Sequence, residues 1–118
     1  MQPHSYQIEM RPAYLLVRQS GTLSHRRQVL EFQRAVESSA VSSDRDRVLF
    51  DNRETLPPAE ELRKLMFDWA TKSRFERVAL VVSADLKVIR ANMDSIGRAR
   101  RLRAFSDVES ASRWLRRE

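Results

Sequence analysis

The segment Arg77-Val78-Ala79-Leu80-Val81-Val82-Ser83 is the most hydrophobic stretch of the chain, and it shows no alternation. Both of its faces must therefore be covered. A run this short and valine-rich is a strand, and a strand buried on both faces belongs inside a parallel sheet flanked by helices. No apolar run exceeds five residues, whereas a membrane-spanning helix takes about 20.

The remaining pattern agrees with that constraint. Tyr6, Ile8 and Met10 alternate with Gln7 and Glu9, as in a half-buried strand. Arg11-Pro12 breaks it, because proline offers no amide to a ladder. Tyr14 to Val17 reads as a second strand, hairpinned to the first and ending at Ser20-Gly21. Ser24 is placed to cap a helix whose Val29, Phe32, Ala35 and Val36 recur at helical spacing. Ser38 to Asp44 is the most linker-like stretch. Arg47-Val48-Leu49-Phe50-Asp51 is a short strand with a polar exit, Asp51 to Thr55, before Pro57-Pro58. Pro58 suits the first turn of a helix, and Leu62, Leu65, Met66, Trp69 and Ala70 form one stripe expected to face the core. Asp85 opens a third helix through Leu86, Ile89, Met93 and Ile96, stopped by Gly97. Arg100 to Phe105 reads as an edge strand guarded by arginines. Ser106 and Glu109 have capping-box spacing ahead of a last helix carrying Val108, Ala111, Trp114 and Leu115. The predicted class is α/β, in the order β-β-α-β-α-β-α-β-α, with a mixed, mostly parallel sheet flanked by helices.

At 118 residues the chain has the size of one domain, expected to span 1–118 with a core over about 5–115. It has no cysteine, which excludes disulfides, thiol nucleophiles and Cys-ligated metals. No signal-peptide core follows the N-terminus, so a cytoplasmic location is expected. The formal charge is +6, and it is concentrated. Between Leu86 and Arg103 stand Lys87, Arg90, Arg98, Arg100, Arg101 and Arg103 against the single acid Asp94. Such a patch attracts acidic proteins, anionic lipid or phosphates, although a solvated helix end in an arginine-rich chain accounts for it equally well.

The residues argue against an enzyme. The histidines at positions 4 and 25 share no metal-ligand spacing with carboxylates. There is no glycine-rich phosphate loop and no nucleophile elbow, and no cofactor is implied. The best polar constellation is Asp51, Asn52, Arg53, Ser83 and Asp85, which two central parallel strands would bring together at their C-terminal ends. The simpler alternative is that Asp51 and Asp85 cap neighbouring turns.

The order of elements resembles the STAS domain family, in its SpoIIAA-like branch. Three features carry the resemblance: the hairpin running into Ser20-Gly21-Thr22-Leu23-Ser24, the strand Val48 to Asp51 with its polar exit, and the ending Phe105 to Leu115. It implies a regulatory protein of bacterial type. Antagonists of anti-sigma factors carry a phosphorylated serine at the start of the second helix, in an Asp-Ser-Ser-Gly-like motif. Here the corresponding stretch, Glu54 to Ala59, has neither serine nor glycine. Thr55 is its only hydroxyl and so the phosphoswitch candidate. Met93-Asp94-Ser95-Ile96-Gly97 spells something close to the motif, but at the end of the third helix instead of the start of the second.

Three functions follow, in order of preference. The first is a non-enzymatic module binding a protein partner, marked by an exposed apolar or charged face around Thr55 to Arg63 without a deep pocket. The second is a carrier of a small apolar ligand or lipid, by analogy with the related lipid-carrying CRAL-TRIO-like fold. Nucleic-acid binding through residues 98–103 ranks last, because no aromatic residue lies between Leu86 and Ala104 to stack a base.

Overall fold

The structure is a computed structural model that describes residues 2–72, 74–83 and 101–117. The strands are β1 (Ser5–Met10), β2 (Leu15–Gly21), β3 (Arg47–Thr55), β4 (Arg77–Val81) and β5 (Leu102–Phe105); the helices are α1 (Arg26–Ser43), α2 (Glu60–Lys72) and α3 (Val108–Arg116). The helix expected between Asp85 and Gly97 lies outside the described residues. Five strands form one sheet in sequence order, β1 antiparallel to β2 and the others parallel. The class is the α/β architecture expected.

Strand order dictates where the helices go. Each parallel connection steps to the next strand in the same direction, and such crossovers are right-handed. The helices α1 and α2 therefore cover the same face. Phe32, Val36 and Ala40 of α1 pack there on Leu15, Val17, Val48, Phe50 and Val78, with Met66, Phe67, Trp69 and Ala70 of α2 alongside. The opposite face carries Leu16, Leu49, Ala79 and Val81, covered by Ala111 and Leu115 of α3. The two central strands are buried on both sides, as the run at Val78 requires.

Polar contacts fix the helices in place. Trp69 Nε1 donates to Glu37 Oε1 at 2.7 Å, joining α2 to α1. Tyr14 Oη donates to Ser112 Oγ at 3.1 Å, joining the residue that precedes β2 to α3. Arg47 donates to the carbonyls of Leu115 and Arg117, and Arg77 to those of Trp114 and Arg117. Two guanidinium groups at the starts of β3 and β4 thus satisfy the orphan carbonyls at the negative end of α3.

Local expectations fail where a longer-range partner outranks a local signal. The segment Asp51 to Thr55, read as a loop, continues β3, because β2 runs on to Gly21 and supplies parallel partners at Ser20 and Gly21. Ser38 to Asp44 is not a linker. Ser39 and Ser43 stay helical, Ala40 is buried, and α1 ends where Asp44 adopts φ 55°. His25, not Ser24, is the N-cap of α1, and the Gln28 side chain accepts from the backbone amides of both. Pro58 precedes α2 instead of opening it. The Leu62–Ala70 stripe is half-buried rather than core: no residue of α2 is fully buried. The Ser106 capping box is replaced by a cap at Asp107, which accepts from the Ser110 amide at 2.7 Å.

Phe32 is 1% exposed, so Phe32→Ala is expected to cost about 3–5 kcal/mol in a denaturant titration. A loss below about 1 kcal/mol would refute its place in the core. The Ser110 amide holds the Asp107 carboxyl below its ordinary value. Its stabilisation is therefore complete at neutral pH and lost as pH falls through the lowered value. Asp107→Ala is expected to lower the melting temperature at pH 7 and to match the parent in strong acid, while Ser106→Ala leaves it unchanged at both.

Candidate functional site

Period-two alternation along β3 splits the predicted polar constellation between the two faces of the sheet. Asn52 falls on the side of Phe50, towards α2, while Asp51 and Arg53 fall on the side of Leu49, towards α3. Asp51 is 8% exposed. It accepts from Arg53 Nε at 2.9 Å and Nη2 at 2.8 Å, a bidentate pair that leaves the carboxylate committed within its own strand. Those hydrogen bonds hold the Asp51 carboxyl below its ordinary value, against the opposing effect of burial. Asp85 lies outside the described residues. The pair at Asp51 and Arg53 thus reads as structural.

The other half of the constellation lines a cavity. Asn52, Thr55 and Ser83 meet at the C-terminal ends of the parallel strands, beneath α2 and the segment that leads into it. The space is about 430 Å3, within the range of small-molecule sites. Among the described residues its body is apolar: Leu23 and Phe50 on the strand side, Met66, Phe67 and Trp69 on α2, and Leu80, Val82 and Leu102 beyond. Its half-exposed helix face explains why the α2 stripe is not core. The stripe faces inward but only partly reaches the sheet.

Thr55 does not sit at a helix N-terminus. It is the last residue of β3, five residues before Glu60, and its Oγ1 donates to the Asn52 carbonyl at 2.7 Å. Thr55 thus does not hold the helix-opening position that the resemblance gave it. Two residues the sequence did not single out complete the polar wall. His4 Nε2 lies 2.9 Å from Gln19 Oε1, and Gln19 Nε2 donates to Asn52 Oδ1 at 2.6 Å. Gln19 carried a signal, since it follows Leu15 and Val17 on the inward face of β2 and is only 7% exposed. His4 carried none, because only the chain crossing at Gly21 brings it here. Thr22 N donates to Gln2 O at 3.1 Å, and a Cβ on Gly21, at φ +75°, would overlap the Pro3 carbonyl.

Of the basic segment, Lys87, Arg90, Arg98 and Arg100 lie outside the described residues. Leu102 and Ala104 point inward and Arg103 outward, as alternation predicts. Arg101 is not a free member of a patch: it donates to the carbonyls of Thr71 and Phe75, latching the end of α2 to the start of β5. Among the described residues no His, Asp and Glu cluster could hold a metal ion, and no helix is long and apolar enough to cross a membrane.

The architecture is a SpoIIAA-like fold. An uncharacterized protein of the DUF3478 family with a SpoIIAA-like fold, from Shewanella loihica PV-4, superposes with a TM-score of 0.71 at 20% identity, over 95% of this chain and 93% of that one. An anti-sigma factor antagonist from Mycobacterium paratuberculosis gives 0.72 at 11% identity, over 98% and 96%. The unphosphorylated form of the anti-sigma factor antagonist SpoIIAA gives 0.63 at 12% identity, over 92% and 94%. No family model matches the sequence, and no curated protein does. The likeness extends to the fold alone.

Arg53→Ala is expected to raise the Asp51 pKa, read from the carboxyl carbon shift in a pH titration, because burial then acts without the guanidinium hydrogen bonds that oppose it. Stability follows the same sign. The parent's advantage over Asp51→Asn is complete above about pH 4 and disappears as pH falls through the lowered Asp51 value.

Proposed function

We propose that the protein is a non-enzymatic binding module whose working surface is the cavity and its rim at the C-terminal ends of the parallel strands. The half-buried α2 face carries this proposal, since a helix serving only the core would close over the sheet at close-packed density. Amides, hydroxyls, an imidazole and the Arg63 guanidinium supply the lining's polarity, and no carboxylate is among the described lining residues. That chemistry suits recognition better than acid–base catalysis.

The rim is where a protein partner docks. Leu56 is 59% exposed, beside Pro57 and Arg63, which makes an apolar contact bordered by charge of the kind interfaces use. Solved structures of the same fold include anti-sigma factor antagonists, which supports a regulatory partner. A second function is favoured by one observation: the face around Thr55 to Arg63 does carry a pocket, and that pocket is apolar enough for a small ligand.

The two are separable. Partners captured from native extract and then reconstituted with purified components are expected to lose at least tenfold in affinity with Leu56→Asp, as an anchor residue does. An unchanged affinity would place the interface elsewhere. Native mass spectrometry of the purified protein is expected to show a bound small molecule if the cavity is a carrier site; a clean apo mass across several preparations counts against it.

A further inference from the structure

The hydrogen bonds along the polar wall run in one direction and leave a donor at their end. Gln19 Oε1 can only accept, so His4 Nε2 donates to it; Gln19 Nε2 then donates to Asn52 Oδ1. Thr55 Oγ1 spends its proton on the Asn52 carbonyl. The Asn52 side-chain oxygen therefore already accepts one hydrogen bond, while its Nδ2 keeps two N–H groups with no acceptor among the described residues. Asn52 lines the cavity, and it is neither fully buried nor exposed. The same lining holds Arg63 and, among the described residues, no acid. Apart from Arg63 and Ser83, the rest of the described lining is apolar.

From this we infer that the cavity takes a monocarboxylic amphiphile, with its carboxylate accepting from the Asn52 amide and its hydrocarbon body lying along Phe50, Met66, Trp69, Leu80 and Leu102. The inference rests on the small-ligand function above and adds the head group. A carboxylate is acceptor-only, so it matches a corner that offers donors. An ammonium head offers the Asn52 N–H groups no acceptor, and it is a like charge to the Arg63 of the same lining. A hydrocarbon without a head leaves the Asn52 N–H groups desolvated and unpaired, which costs affinity.

Asn52→Asp is the decisive substitution. It keeps the shape and the oxygen that accepts from Gln19, and it replaces the two donors by a second acceptor with negative charge. Dodecanoate and dodecyltrimethylammonium share a tail and differ in the head. Both are titrated below their micelle concentrations into the full chain by calorimetry, with the fluorescence of a Trp114→Phe variant, whose remaining tryptophan is Trp69, showing that binding occurs in this cavity. Dodecanoate is expected to bind at least about tenfold tighter than the ammonium, and Asn52→Asp to reverse that order. Asn52→Leu is expected to bring the two ligands near parity, and serves equally if the aspartate variant does not fold. Equal binding of both heads to the parent, or a preference untouched by both variants, overturns the carboxylate inference and leaves the apolar site standing. Binding of neither overturns the small-ligand function itself.

Discussion

Much of the molecule hangs on where one aromatic ring sits. Phe32 projects from the middle of α1 and lies 5.0 Å from the ring of Tyr6, 5.2 Å from His4, 6.2 Å from Phe50 and 6.4 Å from Trp69. Through it α1 touches the N-terminal segment, the edge strand, the central strand and the second helix at once. The edge-on arrangements at His4, Tyr6 and Trp69 are those in which ring quadrupoles attract. Three of those neighbours, His4, Phe50 and Trp69, also line the cavity. The core and the site thus share a wall, and the site is held by fully buried packing, not by its own loop.

The sheet then sorts chemistry by parity. Residues two apart on β3 share a face, so Asp51 and Arg53 go to the side of α3, where each satisfies the other. Asn52 goes to the side of α2, where its amide oxygen is met by Gln19 and its nitrogen is left over. Neighbours in sequence, these residues have unrelated roles. A buried carboxylate needs its cation beside it, and the strand supplies one at the nearest same-face position. No such local answer exists for an amide aimed at empty volume.

Charge contributes less to the described surface than its total suggests. Arg47, Arg77 and Arg101 are spent on backbone carbonyls at the ends of α3 and near the end of α2. Arginine does this well, since its planar fork reaches two acceptors at once. An arginine-rich composition here partly reflects how helix C-termini are closed, which tempers any reading of the excess as a binding surface.

Among the described residues, the strands, helices and their order were legible in the sequence, because period-two and period-3.6 patterns come from burying one face of each element. The double burial of Val78, Ala79 and Val81 was legible for the same reason, and so was the inward turn of Leu102 and Ala104, whereas Leu80 and Val82 are only half-buried because they line the cavity. What the sequence could not decide were quantities set by partners distant along the chain. Thr55 became a strand residue because β2 extends beside it, and Ser38 to Ser43 stayed helical because Ala40 has a core to enter. Asp107 took the cap from Ser106 because its own carboxylate reaches the Ser110 amide. The α2 stripe shows the limit most clearly. Its spacing determines which face turns inward, but the distance between that face and the sheet is a tertiary quantity, and that distance separates a core from a cavity.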